Sequence, residues 1–234
     1  MKILAVDTAT KSCSVAIIEA GSLSAELTTL KDQTHSKHLM ELIHNGLGMS
    51  GFSAADLDGL AVTIGPGSFT GLRIGISTIK GLAHALDKPV VGISSLDALA
   101  WQCADRSYLI CPLLDARKGE VYSATYRYNH DTLTQKSPEK AGAPEAAVQK
   151  IKEPCVFIGS GAQLYRKRLS TVLGDLAHFA PKSQNIIRAS SVACLSMERF
   201  ETHDTVAAVD LVPHYIRKSD AELNLGNKSL SKRP

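Results

Sequence analysis

One stretch determines the fold of this chain: Gly65-Pro66-Gly67-Ser68-Phe69-Thr70-Gly71-Leu72-Arg73. The apolar run 60–64 precedes it, and a helical pattern follows it as far as residue 86. A strand, a glycine-rich turn and a helix N-terminus in this order favour anion binding, because glycines admit close backbone N–H groups and the helix dipole adds positive charge. The stretch lacks the spacing of a Walker loop or a dinucleotide fingerprint. A plain strand–helix connection capped by Ser68 or Thr70 is an equal alternative.

Composition predicts a globular protein of the reducing cytosol. The 234 residues are 44% apolar and 21% charged, which is ordinary for such proteins. No apolar run approaches the ~20 residues of a membrane-spanning helix, and residues 1–7 resemble a strand rather than a signal peptide. Five cysteines without a Cys-x-x-Cys pair predict neither a disulfide nor a zinc site. We therefore expect a cytoplasmic protein with no membrane partner.

The net charge of +3 is concentrated at the C-terminus. Residues 217–234 contain five basic and two acidic side chains, whereas residues 1–216 contain 21 of each. A neutral body argues against a broad nucleic-acid-binding face. The basic tail is more typical of a solvated terminus than of an RNA contact.

Hydrophobic periodicity predicts three strands, a helix, a strand and a helix for the N-terminal half. The predicted strands are residues 2–7, 12–20, 23–31 and 58–64, with helices at 35–47 and 71–86. A strand at 90–93 and a helix to about residue 103 follow. This βββαβα order differs from the doubly wound Rossmann order. It resembles the α/β, ribonuclease-H-like lobe of actin, sugar kinases and the 70-kDa chaperone ATPases, which contain two such lobes.

The second half fits a second lobe of the same kind. The sequence predicts a strand at 108–115, a hairpin partner at 121–126, a loop at 129–142, a helix at 144–152, a strand at 155–158 and a helix opening at 159–162. We therefore predict an N-terminal lobe of residues 1–105 and a C-terminal lobe of residues 106–216. The segment 217–234 is expected to pack back on the N-terminal lobe.

Carboxylates and hairpin turns hold the nucleotide in actin-type ATPases, so the matching positions form the candidate nucleotide site. By order along the chain these are Asp7, Thr8, Gly65, Gly67 and Asp115. The first hairpin turn, residues 7–12, contains no glycine, so its amides cannot wrap a phosphate closely. We expect a vestigial site, with no catalytic residue, no metal and no cofactor, and with nucleotide bound at most at the interface of a complex.

Two histidines at the start of the helix 35–47 allow a metal site in principle. His35 and His38 are three residues apart, but zinc or iron needs at least one further ligand, and no nearby pattern supplies it. Surface histidines or a contact site are the favoured interpretation.

The helix 71–86 has two faces available for packing. One face is apolar and must lie on the sheet. The other carries residues that admit a second helix at close range: Gly71, Gly75, Thr78 and Leu82. That second helix is either residues 35–47 of the same chain or part of a partner subunit, and both alternatives stay open.

Several motifs together resemble the TsaB/TsaD family of tRNA-modifying proteins. They are the glycine stretch 65–73 with Lys80-Gly81-Leu82-Ala83, the N-terminal Ile3-Leu4-Ala5-Val6-Asp7-Thr8-Ala9, Asp115-Ala116-Arg117, and Pro213-x-Tyr215-Ile216-Arg217. The resemblance spans about residues 1–222. It is to the TsaB branch, because the metal-binding His-x-x-x-His of the TsaD branch is missing from the sequence.

The resemblance implies a role in making threonylcarbamoyladenosine beside the tRNA anticodon. It implies a non-catalytic subunit that forms a heterodimer with a TsaD-like transferase, is joined by a TsaE-like ATPase and meets tRNA only through the complex. The TsaD-like chain would bind helices 35–47 and 71–86 through His35, His38, Leu39, Leu42, Gly71, Arg73, Gly75, Thr78 and Leu82. We also expect the isolated chain to form a homodimer through these helices.

A second hypothesis is an actin-fold enzyme that works alone with ATP, as a kinase or a carbamoyl-type transferase. The glycine-poor hairpin turn and the missing metal motif favour the subunit hypothesis instead. Protease chemistry finds no support, since Ser68 lies outside a Gly-x-Ser-x-Gly elbow.

Overall fold

The N-terminal half folds in the predicted order. The computed structural model describes residues 1–30, 35–129 and 131–217. The strands of its first sheet are β1 (Lys2–Asp7), β2 (Cys13–Glu19), β3 (Ser22–Thr29), β4 (Gly59–Gly65) and β5 (Val90–Ser94). Three helices alternate with them: α1 (His35–Ser50), α2 (Phe69–Leu86) and α3 (Ser95–Trp101). The βββαβα prediction is therefore confirmed.

The first sheet has the strand order β3-β2-β1-β4-β5. β1 pairs antiparallel with β2 and parallel with β4, and β5 continues parallel to β4. β1 and β4 are buried along nearly their whole length because helices cover both faces of the sheet. Gly46 of α1 faces Val15, and Gly75 of α2 faces Val62 in the same register row. Both helices therefore pack on one face.

The second sheet has seven strands: β6 (Leu109–Arg117), β7 (Glu120–Ser123), β8 (Tyr126–Asn129), β9 (Thr132–Lys136), β10 (Lys140–Gly142), β11 (Cys155–Ile158) and β12 (Ala177–Phe179). Its main path runs β10-β7-β6-β11-β12, and β8 joins β6 to β9. Three short helices pack against it: α4 (Pro144–Val148), α5 (Ser160–Leu164) and α6 (Arg166–Leu173). Among the described residues, no helix has the length and apolarity to cross a bilayer.

The predicted loop at 129–142 is wrong. This segment contains β9 and β10. All five residues of β9 are exposed, so no alternation of buried and solvated side chains marks it in the sequence. The strand forms by antiparallel pairing with β8. The predicted strand 121–126 is also interrupted, because β7 ends at Ser123 and β8, which begins at Tyr126, pairs with an earlier part of β6 and with β9.

After the second sheet the chain returns to the first. The helix α7 (Ala189–Glu201) packs across β1, β2, β4 and β5, on the face opposite α1 and α2. Its Phe200 ring lies over Gly59, where a Cβ atom would overlap the ring. The amide of Ala189 donates to the Ser14 hydroxyl at 3.0 Å. These contacts attach the helix to the first sheet.

Residues 206–217, here the C-terminal strap, follow α7 along the first sheet. The Val206 amide donates to the Val90 carbonyl at 2.9 Å, and the His214 amide donates to the Ile64 carbonyl at 2.7 Å. The strap therefore runs past the ends of β5 and β4 before it reaches the second sheet.

The predicted division of the chain needs one correction. The sequence predicts that residues 189–216 belong to the second lobe, whereas α7 and most of the strap cover the first sheet. An amphipathic helix reveals one buried face and not which sheet buries it. The Arg217 guanidinium then donates to the Ala116 carbonyl of the second sheet at 3.2 Å. Residues 218–234 lie outside the described residues, and the boundary near residue 105 stays a prediction.

Candidate functional site

A cleft of about 620 Å³ lies between the two sheets. Its lining includes four continuous segments, which are the β1–β2 turn at residues 9–12, the glycine stretch at 66–70, the end of β6 with Lys118 at 114–118 and the strap at 214–217. Residues of α5 and the pair 185–186 complete much of the rest. Only some residues of the predicted nucleotide site line this cleft. Gly67 and Asp115 line it, whereas its lining does not include Asp7, Thr8 or Gly65.

The glycine stretch is packed against the β1–β2 turn. The Ser68 amide donates to the Ala9 carbonyl at 2.7 Å, and the Thr8 hydroxyl donates to the Gly71 carbonyl at 2.8 Å. Three glycines have no room for a Cβ atom, which would overlap Ala9 or Thr8: Gly67, Gly71 and Gly75. These glycines are therefore required for the close approach of two segments of the same chain.

This contact corrects two interpretations of the sequence. The amide of Ser68, the residue before α2, already donates to the Ala9 carbonyl and is therefore not free to bind an anion. Gly71 and Gly75 are buried against Thr8, so they are not available to a second helix. The alternative of a strand–helix connection is correct, with the Ser68 hydroxyl accepting from the Gly71 amide as the cap.

Asp7 is fully buried beneath this contact. Its Oδ1 accepts from the Thr63 hydroxyl at 2.7 Å and from the Ala9 amide at 3.1 Å. Its Oδ2 has no hydrogen-bond partner among the described residues. Burial raises the pKa of this carboxyl to about 7, although the Thr63 and Ala9 bonds oppose the shift. A carboxyl in this position does not fit the role of a water-mediated Mg²⁺ ligand at the cleft.

Asp115 lies in the opposite environment. It is exposed at the cleft, and its Oδ1 accepts from the Arg117 amide at 2.9 Å. Arg117 and Lys118 have positive φ angles of 61° and 52°, where a bulge interrupts the β6–β7 pairing. Such a bulge changes the direction of the side chains at its position relative to the rest of the strand. The two carboxylates of the predicted nucleotide site therefore differ in burial, and the described residues contain no cluster of three ligand side chains for a metal.

The strap closes one side of the cleft. Tyr215 stacks on Phe69 with ring centroids 4.9 Å apart, and the Arg73 guanidinium lies 3.8 Å from the Phe69 ring centre. Arg73 Nε also donates to the Tyr215 hydroxyl at 3.2 Å. Gly65, with φ of 120°, packs against the His214 carbonyl. Arg73, predicted at a partner interface, thus has its contacts within the chain.

The remaining predicted interface residues are divided between core and surface. Leu39 and Leu42 are buried in the core. His35 is half-buried and bonds the Thr10 carbonyl through Nε2 at 2.8 Å. Of the predicted interface residues on α1 and α2, His38, Thr78 and Leu82 are also partly accessible.

An apolar groove of about 140 Å³ lies between α1 and α2, with Leu4 of β1 and Leu57 also in its lining. Its lining includes Met40, Ile43, His44, Leu47, Leu82 and Leu86. Met40 is 51% exposed, an unusual position for a large apolar side chain. Of this set, only Leu82 was among the predicted interface residues. The spacing 40, 44, 47 on α1 is the signal in the sequence that could have identified the others.

The chain is similar to known proteins over most of its length. Residues 28–225 match the family described as TsaD, tRNA N6-adenosine threonylcarbamoyltransferase. The tRNA threonylcarbamoyladenosine biosynthesis protein TsaB of Bacillus subtilis is 33% identical, over 95% of this chain and 96% of that protein. The protein of the same name in Escherichia coli is 32% identical, over 97% of this chain and 100% of its own.

Solved structures agree with the sequence relatives. YeaZ from Pseudomonas aeruginosa has a TM-score of 0.78 and 26% identity, over 92% of this chain and 99% of that chain. Component A of (R)-2-hydroxyglutaryl-CoA dehydratase from Acidaminococcus fermentans has a TM-score of 0.52, over 83% of this chain and 97% of its own, at 10% identity, so it supports the fold alone. The α/β fold predicted from the sequence, with the βββαβα order in its first half, is confirmed.

Gly75→Ala should lower the free energy of unfolding by about 1–3 kcal/mol, because the new Cβ atom overlaps the Thr8 hydroxyl. In a Thr8→Ala background the overlap is removed, so the same substitution should cost much less. Chemical denaturation of the four proteins measures this coupling. Gly81→Ala on the same helix is the control, since nothing lies within 4 Å of its Cβ position, and it should stabilise by about 0.5–1 kcal/mol. Additive effects of the two changes would contradict the proposed contact.

Asp7→Asn should change the dependence of stability on pH. The raised pKa of Asp7 means that the folded protein holds a proton that the unfolded chain releases above pH 3.8. This stabilisation is complete below that pH and is lost as pH rises to about 7. The variant should therefore gain on the order of 2 kcal/mol over wild type between pH 5 and pH 8. Asp105→Asn, at an exposed position, is the control, and parallel curves for all three proteins would refute the assignment.

Proposed function

Because the chain belongs to the TsaB family of tRNA threonylcarbamoyladenosine biosynthesis proteins, we propose that it is the non-catalytic subunit of the complex that makes this modification. Its role in the biosynthesis of threonylcarbamoyladenosine follows from the family. The observation that carries the non-catalytic assignment is the packing of α2 into the β1–β2 turn. Because the modification is made on tRNA, we propose that the protein is cytoplasmic.

Three features argue against chemistry by this chain. Gly67 and Gly71 pack directly on the backbone of Ala9 and Thr8 in the β1–β2 turn, and Asp7 is buried below this contact. Ser68, the one serine of the glycine stretch, caps α2 with its hydroxyl and so has a structural role. The five cysteines are buried or half-buried thiols.

The apolar groove on α1 and α2 supports binding of a TsaD-like paralogue. Exposed apolar surface of this kind is typical of protein interfaces. The chain matches the TsaD family over residues 28–225, so a TsaD-like partner has the same kind of lobe and can present equivalent helices. The same reasoning predicts a homodimer of the isolated chain, since each copy offers its partner an identical face. A TsaE-like ATPase then joins the heterodimer.

The isolated protein should neither hydrolyse ATP at a useful rate nor modify tRNA, because Asp7 is buried away from the cleft and cannot share Mg²⁺ with Asp115 there. Phosphate release and incorporation of threonine into tRNA measure the two activities. Robust turnover that Asp7→Ala abolishes would instead support the second candidate, an actin-fold kinase or carbamoyl-type transferase. Weak nucleotide binding without turnover agrees with the proposal.

Met40→Asp should disrupt both the heterodimer with the TsaD-like chain and the homodimer, because it places a charge in the apolar groove. We expect affinity to fall at least tenfold, measured by calorimetry for the heterodimer and by light scattering for the homodimer. Met49→Asp is the control, since Met49 is 70% exposed on the same helix and outside the groove lining.

Equal loss of binding in both variants would show a general effect of charge on α1. Unchanged binding in both would place the interface on another surface. A strict monomer of the wild-type chain at micromolar concentration would contradict the homodimer.

A further inference from the structure

The fold separates charges that cancel along the sequence. Residues 106–188 build the second sheet and its helices, and they contain 13 lysine and arginine residues against seven aspartate and glutamate residues, a net charge of +6. Residues 1–105 and 189–216, which build and cover the first sheet, contain eight against 14, a net charge of −6. The neutral body seen in the sequence is therefore the sum of a basic half and an acidic half.

Part of the basic charge lies at the mouth of the cleft. We define the basic rim as four exposed side chains: Lys11, Arg117, Lys118 and Lys182. The first three line the cleft. Lys182 adjoins it, because its carbonyl accepts from the amide of Gln163, another lining residue, at 3.3 Å.

The exposed cations of the protein differ in their pairing and in their place. Arg127, Lys136 and Arg168 each form an ion pair with a carboxylate. Within residues 1–30, 35–129 and 131–217, the structure shows no ion pair for the side chains of Lys11, Arg117 and Lys182, a state they share with cations away from the cleft such as Lys150 and Lys167. Lys11 and Arg117 are distinguished by lining the cleft, where exposed cations attract polyanions.

We propose that the basic rim binds the phosphate backbone of the tRNA directly. This inference rests on the proposed function, since a subunit of a tRNA-modifying complex has this polyanion as its substrate. Exposed cations distributed along a rim fit repeated phosphates, whereas a small-molecule site buries its polar groups. The neutral net charge of residues 1–216, which argued against a nucleic-acid-binding face, therefore no longer counts against direct contact with tRNA.

The test measures how a tRNA transcript without modified nucleosides binds the full-length chain. The transcript carries a fluorescent label, and its anisotropy reports binding across a salt series. Arg117→Asn with Lys182→Gln removes two rim charges, and asparagine suits the positive φ of Arg117. Lys37→Gln with Lys88→Gln removes two charges from the acidic half as the matched control. Thermal melting confirms that both double variants fold.

We expect the rim variant to bind tRNA roughly fivefold or more weakly than wild type, with a salt slope reduced by about 2. The control should retain the wild-type affinity and slope. Equal weakening of both variants, or of neither, would overturn the proposal. Micromolar inorganic pyrophosphate is the probe for a small-anion site. If it displaces tRNA from the wild-type chain and not from the rim variant, the cations bind a small anion and the proposal is overturned as well.

Capture of the TsaD-like chain is measured on the same variants. If capture fails for the wild-type chain while the rim variant still loses tRNA, the proposed function fails and the rim proposal stands. If capture succeeds and the rim variant keeps its tRNA affinity, the rim proposal alone fails.

Discussion

The start of α2 lies against the β1–β2 turn so closely that side chains are excluded between them. Gly71 and Gly75 are four residues apart and share one side of α2, while Gly67 lies two residues before the helix begins. Thr8 and Ala9 occupy the space that their Cβ atoms would need. The two hydrogen bonds across this contact contribute about 1 kcal/mol each, while the steric constraint permits glycine alone.

The rest of the cleft follows from this contact. Because the start of α2 packs on the turn, Asp7 is buried beneath it. This burial accounts for the raised pKa of the Asp7 carboxyl. Phe69, one residue into the helix, is positioned to stack on Tyr215 of the strap.

We propose that recognition by this protein uses two of its surfaces. The groove on α1 and α2 is apolar and suits a protein helix, whereas the rim of Lys11, Arg117, Lys118 and Lys182 is cationic and suits a phosphate backbone. The two surfaces belong to different parts of the molecule, the acidic half and the cleft mouth. A subunit with this division can hold a partner and a nucleic acid at the same time.

The sequence by itself determined the order of strands and helices in the first sheet and the family, because periodicity and short motifs are local properties of a chain. It did not reveal β9, whose exposed residues show no periodic burial. Only the tertiary structure decided that Gly75 faces Thr8, that α7 covers the first sheet and that opposite charges are separated. Each of these depends on contacts between residues far apart in the chain, and a local pattern specifies that a face is buried without specifying what buries it.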